Sequence, residues 1–172
     1  MKKNNKGFSL IELIIAVAIL VVLSGLLAPQ LIKYVERSRE SKDMQALDSV
    51  YVAVNTALTN EAAYNKFTTD HTTDRTDLKL ETILGADDAF SKEVQSILGK
   101  TEVKLQSKRA KGSAGNGIIW VEVRIDSTTD DGVTGLTVGV YAGAAGTSAP
   151  TNYNGDFAIG NVTPTKVTTP SS

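Results

Sequence analysis

The sequence predicts an α+β fold in which one long N-terminal helix lays its outer half on an antiparallel sheet of three to four strands. Three observations predict it: an uncharged apolar run over residues 13–28, apolar residues spaced by three and four beyond Lys33, and β-branched runs confined to the second half of the chain. The 172 residues, 41% apolar and 22% charged, suit one ordinary domain plus a modest extra segment. They are too few for a multidomain enzyme.

The apolar run reads LIIAVAILVVLSGLLA, interrupted only by Ser24 and Gly25. Counted back to Phe8 it has 21 residues, a helix of about 31 Å that matches the hydrocarbon thickness of a bilayer. Lys2, Lys3 and Lys6 precede it without an acidic residue, so the positive-inside bias keeps the N-terminus in the cytoplasm and carries the chain beyond Ala28 across the membrane. An ordinary secretory cleavage after the run is disfavoured, because Pro29 directly follows the small residue Ala28. Glu12 is the anomaly: at mid-membrane a carboxylate costs up to about 3 kcal/mol, and less at headgroup depth.

Lys6-Gly7-Phe8-Ser9-Leu10-Ile11-Glu12 places a basic residue, Gly, Phe, a small hydroxyl residue, two aliphatics and Glu directly before the apolar run. This string resembles the processing signal of type IV prepilins. The resemblance covers residues 1 to about 30, Pro29 included, which stands where those proteins commonly carry a helix-bending proline. It implies a type IV pilin-like fold, cleavage of the Gly7–Phe8 bond by a prepilin peptidase, N-methylation of Phe8, and retention of the apolar helix. It also gives Glu12 an assembly role, pairing with the new amino group of Phe8 on a neighbouring subunit; an α-amine with a pKa near 8 stays mostly charged, methylated or not. The chain has no cysteine, unlike the many pilins that pin their C-terminal region with a disulfide, and in this it is similar to pilins expected of Gram-positive, including clostridial, systems.

The chain divides into three parts: a leader over residues 1–7, a transmembrane or filament-core half-helix over 8–32, and a head domain over 33–172. Beyond Lys33, the residues Met44, Leu47, Tyr51, Val54 and Leu58 mark one helical face, widened by Ala46, Val50, Ala53 and Ala57. Glu36, Arg37, Arg39, Glu40, Lys42, Asp43 and Asp48 are left for the exposed surface, with Arg39 and Asp43 within reach of an ion pair one turn apart. A helix continuous over residues 8–60 measures roughly 80 Å, bent near Pro29. Residues 61–76 are polar and read as a surface connection. Helices are expected over 77–84 and 87–98, each with an acidic start and a glycine stop, Asp87 and Asp88 capping the second. Strands are expected over 102–106, 118–125 and 136–141, a short fourth over 156–159, and a loose end from Thr163.

The same residues exclude most chemistry. Without cysteine there are no disulfides, thiolate zinc sites or thiol nucleophiles, and the single histidine, His71 between Asp70 and Thr72, makes no triad or multi-His metal site. Asp126, Asp130 and Asp131 share a turn, but their spacing is not that of an EF-hand loop and a hydrophilic turn explains them. Gly112, Gly115 and Gly117 are not followed by the Lys-Ser or Lys-Thr of a phosphate loop. Asn161-Val162-Thr163 matches an N-linked acceptor by coincidence, and the Thr/Pro/Ser tail is a candidate for glycosylation. A net charge of −1 disfavours nucleic acid as the main partner.

The expected function is structural: a pilus subunit rather than an enzyme, with no catalytic residue, cofactor or metal. Removing the leader moves the formal charge from −1 to −4 and takes away the cytoplasmic anchor charges. The resemblance implies a homopolymer of pilin subunits, an assembly ATPase and a membrane platform as partners, residence in the cytoplasmic membrane before assembly and in an extracellular pilus afterwards, and roles in adhesion, twitching motility or biofilm growth. The alternatives are a pseudopilin of type II secretion or DNA uptake, and a plain membrane-anchored binding domain.

Overall fold

The computed structural model describes residues 8–99, 102–126 and 135–167. By its contacts the chain divides into two units, one up to Ser38 and one from Arg39 onward. Helix α1, Leu10–Ala57, has residues in both. In the first unit the helix runs through Pro29. That residue has no N–H to offer the carbonyl of Gly25 four positions back, and the glycine leaves this carbonyl room to tilt. Aliphatic side chains line the helix on all sides here and are exposed from Leu10 to Ile32. No face has been set aside for a protein core.

The second unit has one. Leu47, Val50, Ala53, Val54 and Ala57 of α1 are buried in a single apolar cluster with Ile119, Val121, Val123, Val138, Val140 and Ala142 of the sheet. Met44, Tyr51 and Leu58 pack at its margin. Burying each large aliphatic is worth about 1.5–3 kcal/mol, and this is what holds the outer half of the helix on the sheet. The sheet order is β1 (Arg75–Lys79), β2 (Ile118–Asp126), β3 (Gly135–Gly143) and β5 (Ala158–Gly160), with every pair antiparallel. Strands β4 (Asn152–Asn154) and β6 (Thr165–Val167) form a separate parallel pair. The remaining helices are α2 (Glu61–Asp70), α3 (Leu80–Gly85), α4 (Ala89–Leu98) and α5 (Lys108–Lys111).

Several expectations are corrected. The polar stretch after residue 60 folds into α2, because Asn60 caps it by accepting from the N–H groups of Ala62 and Ala63 at 3.0 and 3.2 Å. Ala63 and Phe67, four residues apart, are buried, and the Phe67 ring lies 5.0 Å from that of Phe90 on α4. The helix expected over 77–84 begins only at Leu80. Its first residues belong to β1, where Leu78 pairs with Val121 and Lys79 with Trp120, so the open edge of β2 overrides local propensity. The stretch 102–106 joins no ladder. Its alternation buries Leu105, but the main-chain N–H groups at Gln106 and Ser107 go to a carboxylate of α1 instead of a neighbouring strand. The end expected to be loose from Thr163 instead enters β6.

That carboxylate is Asp43, which its sequence neighbourhood places on the exposed surface. It is 1% exposed and accepts from Gln106 N at 2.8 Å and Ser107 N at 2.7 Å. A buried acceptor with two donors is satisfied, and the contact ties α1 to the chain entering α5. Helix α4 begins as its sequence predicts. Asp88 accepts from the Ser91 N–H at 3.0 Å and its hydroxyl at 2.7 Å. Burial pushes the Asp88 carboxyl up, but these and neighbouring main-chain bonds outweigh it and hold the group below the ordinary carboxylate range. The helix stops at Gly99, whose φ of 62° suits a left-handed cap.

Candidate functional site

The residues that carry the proposed processing and assembly chemistry lie at the start of α1. Phe8 is 87% exposed, and the helix begins two residues later at Leu10. Ser9 precedes it, and its main-chain N–H donates to Glu12 Oε2 at 2.9 Å. Leu13 N closes the first turn on Ser9 O at 3.2 Å. Ser-x-x-Glu is the capping-box pattern, with Glu12 reaching back to a donor that the helix leaves unsatisfied. This use of Glu12 was legible as a four-residue spacing, but the reading of the carboxylate as an intramembrane charge passed over it. Phe8, Ser9 and Glu12 are thus brought together within one turn. Gly7 lies outside the described residues, as do Lys2, Lys3 and Lys6.

Behind this turn the helix is long and apolar enough to cross a membrane. An aliphatic surface of that length is not stable in water, and its stable environments are acyl chains or other apolar helices. Lys33, Tyr34 and Arg37 come after it, with Gln30 beside them around a shallow concavity.

In the second unit the polar contacts hold the C-terminal segment in place. On the sheet face that carries Trp120 and Tyr141, Glu122 is fully buried and accepts from Thr163 N at 2.9 Å and Thr163 Oγ1 at 2.7 Å. Arg124 Nη2 donates to Asn161 O at 3.1 Å. Gly139, opposite Glu122 in the ladder, makes room: a Cβ there would sit 2.3 Å from Asn161 O. The Tyr141 hydroxyl is buried and finds no hydrogen-bond partner among the described residues; burial, then the charge of Glu122, push its pKa well above the ordinary value. Arg109 bridges Glu40 and Asp156, each at 3.3 Å, and Lys166 pairs with the same Asp156. Nothing in the spacing of Glu122 and Thr163 announced their contact, 41 residues apart.

Among the described residues no group of three His, Cys, Asp or Glu side chains is placed to hold a metal ion. Asp130 and Asp131 of the acidic turn lie outside the described residues, as does the side chain of Asp126. His71 caps α2, with Nδ1 3.0 Å from Phe67 O and its ring against Phe67. The glycine-rich stretch serves turns: Gly112 and Gly115 both adopt φ of 69°.

Residues 2–28 match the prokaryotic N-terminal methylation motif. The chain carries a prokaryotic N-terminal methylation segment. Over 64 residues the chain is 36% identical to the type IV major pilin protein PilA of Myxococcus xanthus (strain DK1622), covering 37% of this chain and 29% of that protein. Over 58 residues it is 41% identical to a type IV major fimbrial protein FimA of Dichelobacter nodosus, covering 34% of this chain and 37% of that one. The chain thus spans about a third of the length of the curated relatives it matches. No solved structure matches it. The long helix on a four-stranded antiparallel sheet is consistent with the type IV pilin fold.

Proposed function

We propose that this chain is the precursor of a structural subunit of a type IV pilus, cut between Gly7 and Phe8 by a prepilin peptidase, methylated at Phe8, and polymerised through the apolar half of α1. The observation that carries the reading is the conjunction of the methylation motif with an all-round apolar helix that finds no core among the described residues. The membrane stores the subunit with its N-terminus inside. An assembly ATPase and a membrane platform then exchange lipid contacts for helix–helix contacts with other subunits. Glu12 changes partner at that step, from the Ser9 N–H of its own chain to the charged amine of Phe8 in a neighbour. The filament serves adhesion, motility or biofilm growth.

N-terminal mass spectrometry of the native protein tests the processing: the mature chain begins at Phe8 and carries one added methyl group, whereas retention of Met1 refutes the reading. Replacing Gly7 by a bulky residue leaves the precursor mass. Glu12→Ala leaves cleavage intact and lowers the yield of sheared filaments by about tenfold or more, the effect of losing one charge-assisted contact per subunit. Normal yield would defeat the pairing role.

A further inference from the structure

Twenty residues, 13–32, separate Glu12 from Lys33 without a formal charge. As helix they rise about 30 Å, the thickness of the hydrocarbon layer. With Glu12 at one membrane surface, Lys33 therefore sits at the other. Gln30, Lys33, Tyr34 and Arg37 recur at i, i+3, i+4 and i+7 and so share one helix face. They line a concavity of about 200 Å³, beside which Tyr34 is 66% exposed. Glu36, at i+3 from Lys33, borders that face, roughly 110° around the helix from its middle at about 100° per residue. Glu40, one turn on, is engaged by Arg109.

From this juxtaposition we propose that Gln30, Lys33, Tyr34 and Arg37 form a phospholipid headgroup site that takes the phosphate of an anionic lipid at the extracytoplasmic membrane surface. The proposal rests on the membrane-spanning reading of α1 and goes beyond it, because it fixes the depth and rotation of the stored subunit. The charge complementarity is local. Lys33 supplies a point charge, and Arg37 a planar guanidinium whose five N–H donors serve more than one acceptor. Tyr34 is the residue type that settles at headgroup level, with its ring toward the acyl boundary and its hydroxyl in the polar layer, while Gln30 adds an amide donor one turn deeper. Two cations on one face orient the helix as well as anchoring it, since rotation about its axis would carry both away from the same phosphate.

The full chain in detergent, titrated with phosphatidylglycerol or phosphatidylcholine and observed by native mass spectrometry, is the test. Phosphatidylglycerol is retained preferentially, and Lys33→Gln with Arg37→Gln lowers that retention by on the order of tenfold or more. Arg39→Gln with Lys42→Gln makes the same change in net charge away from this face and leaves retention unchanged. Equal loss in both pairs would reduce the effect to net charge and overturn the site. So would displacement of the lipid by inorganic phosphate, which would make it a free-anion site. Unchanged lipid retention with lost filament assembly in the Lys33/Arg37 pair would assign the face to subunit contacts instead. Flotation of the wild-type chain with vesicles after alkaline washing separates the two levels. A chain that does not float refutes the membrane-spanning reading, and one that floats without preferring the anionic lipid refutes the headgroup site alone.

Discussion

The two parts of α1 have the same backbone and opposite fates. Up to Ser38, α1 exposes aliphatic side chains on every side. From Arg39 onward it narrows to one apolar stripe that is buried against the sheet, while Asp43 is buried against the chain entering α5. The secondary structure is identical, so helix propensity does not distinguish the parts; what distinguishes them is the medium each was composed for. An all-round apolar helix requires lipid or other apolar helices, whereas a striped one requires a single partner surface in its own chain.

Substitutions of equal chemistry in the two parts should therefore differ most. Leu47→Ala, in the buried stripe, should cost about 2–5 kcal/mol of head stability through lost transfer energy and a cavity. Leu20→Ala, in the exposed part, should leave head stability within about 0.5 kcal/mol. Thermal unfolding of the full chain in detergent, followed by the fluorescence of buried Trp120, measures both. Equal shifts would show that the apolar part contributes to the head fold.

Next in size is the C-terminal latch. Thr163→Val keeps the shape but removes a hydroxyl donor from the fully buried Glu122 carboxylate, and about 1.5–3 kcal/mol should be lost. Limited proteolysis should then cut the chain after Gly160 sooner than in the parent, whereas unchanged cleavage would leave the contact without a holding role. Asp43→Asn has a smaller expected effect, about 1–2 kcal/mol, because the amide oxygen still accepts one of the two N–H bonds while its NH₂ faces the other donor. Denaturant midpoints at unchanged slope read this loss, and no shift would show the contact to be dispensable.

The smallest effect is that of pH, and it acts at both ends of the scale. Tyr141 is held neutral, with its folded pKa raised by burial. Its contribution is complete below the unfolded value of about 10 and is lost as pH rises beyond it. Asp88 has the opposite sign: its folded pKa is depressed, so its contribution is present above about 3.9 and fades as pH falls below that. Tyr141→Phe should be near neutral at pH 7, because the hydroxyl it removes has no described partner, and should melt above the parent only in alkali. A constant difference across pH would show that the phenol is not the titrating group.

The legible features were those written in contiguous residues. The methylation motif, the apolar run and the Met44-to-Leu58 face were read directly, and so were the α4 cap at Asp88, its stop at Gly99 and strands β2 and β3. The candidate site at Gly7, Phe8 and Glu12 is contiguous too, which is why it could be named before any fold was known. The errors fell where a partner distant in sequence decides the outcome. Residues 77–79 became strand because β2 offered an edge, and residues 102–106 joined no ladder, with Asp43 taking the N–H of Gln106 at their end and of Ser107 just beyond.

By itself the sequence determined that this chain has a helix fit for lipid at one end and a helix-on-sheet head at the other, because periodicity and apolar length are local quantities. Only the tertiary structure decided which carboxylates are buried. Asp43 and Glu122 look like surface charges in sequence, and each is held inside by main-chain donors 63 and 41 residues away. A charge leaves water only where such donors replace it, and their position is a property of the folded chain.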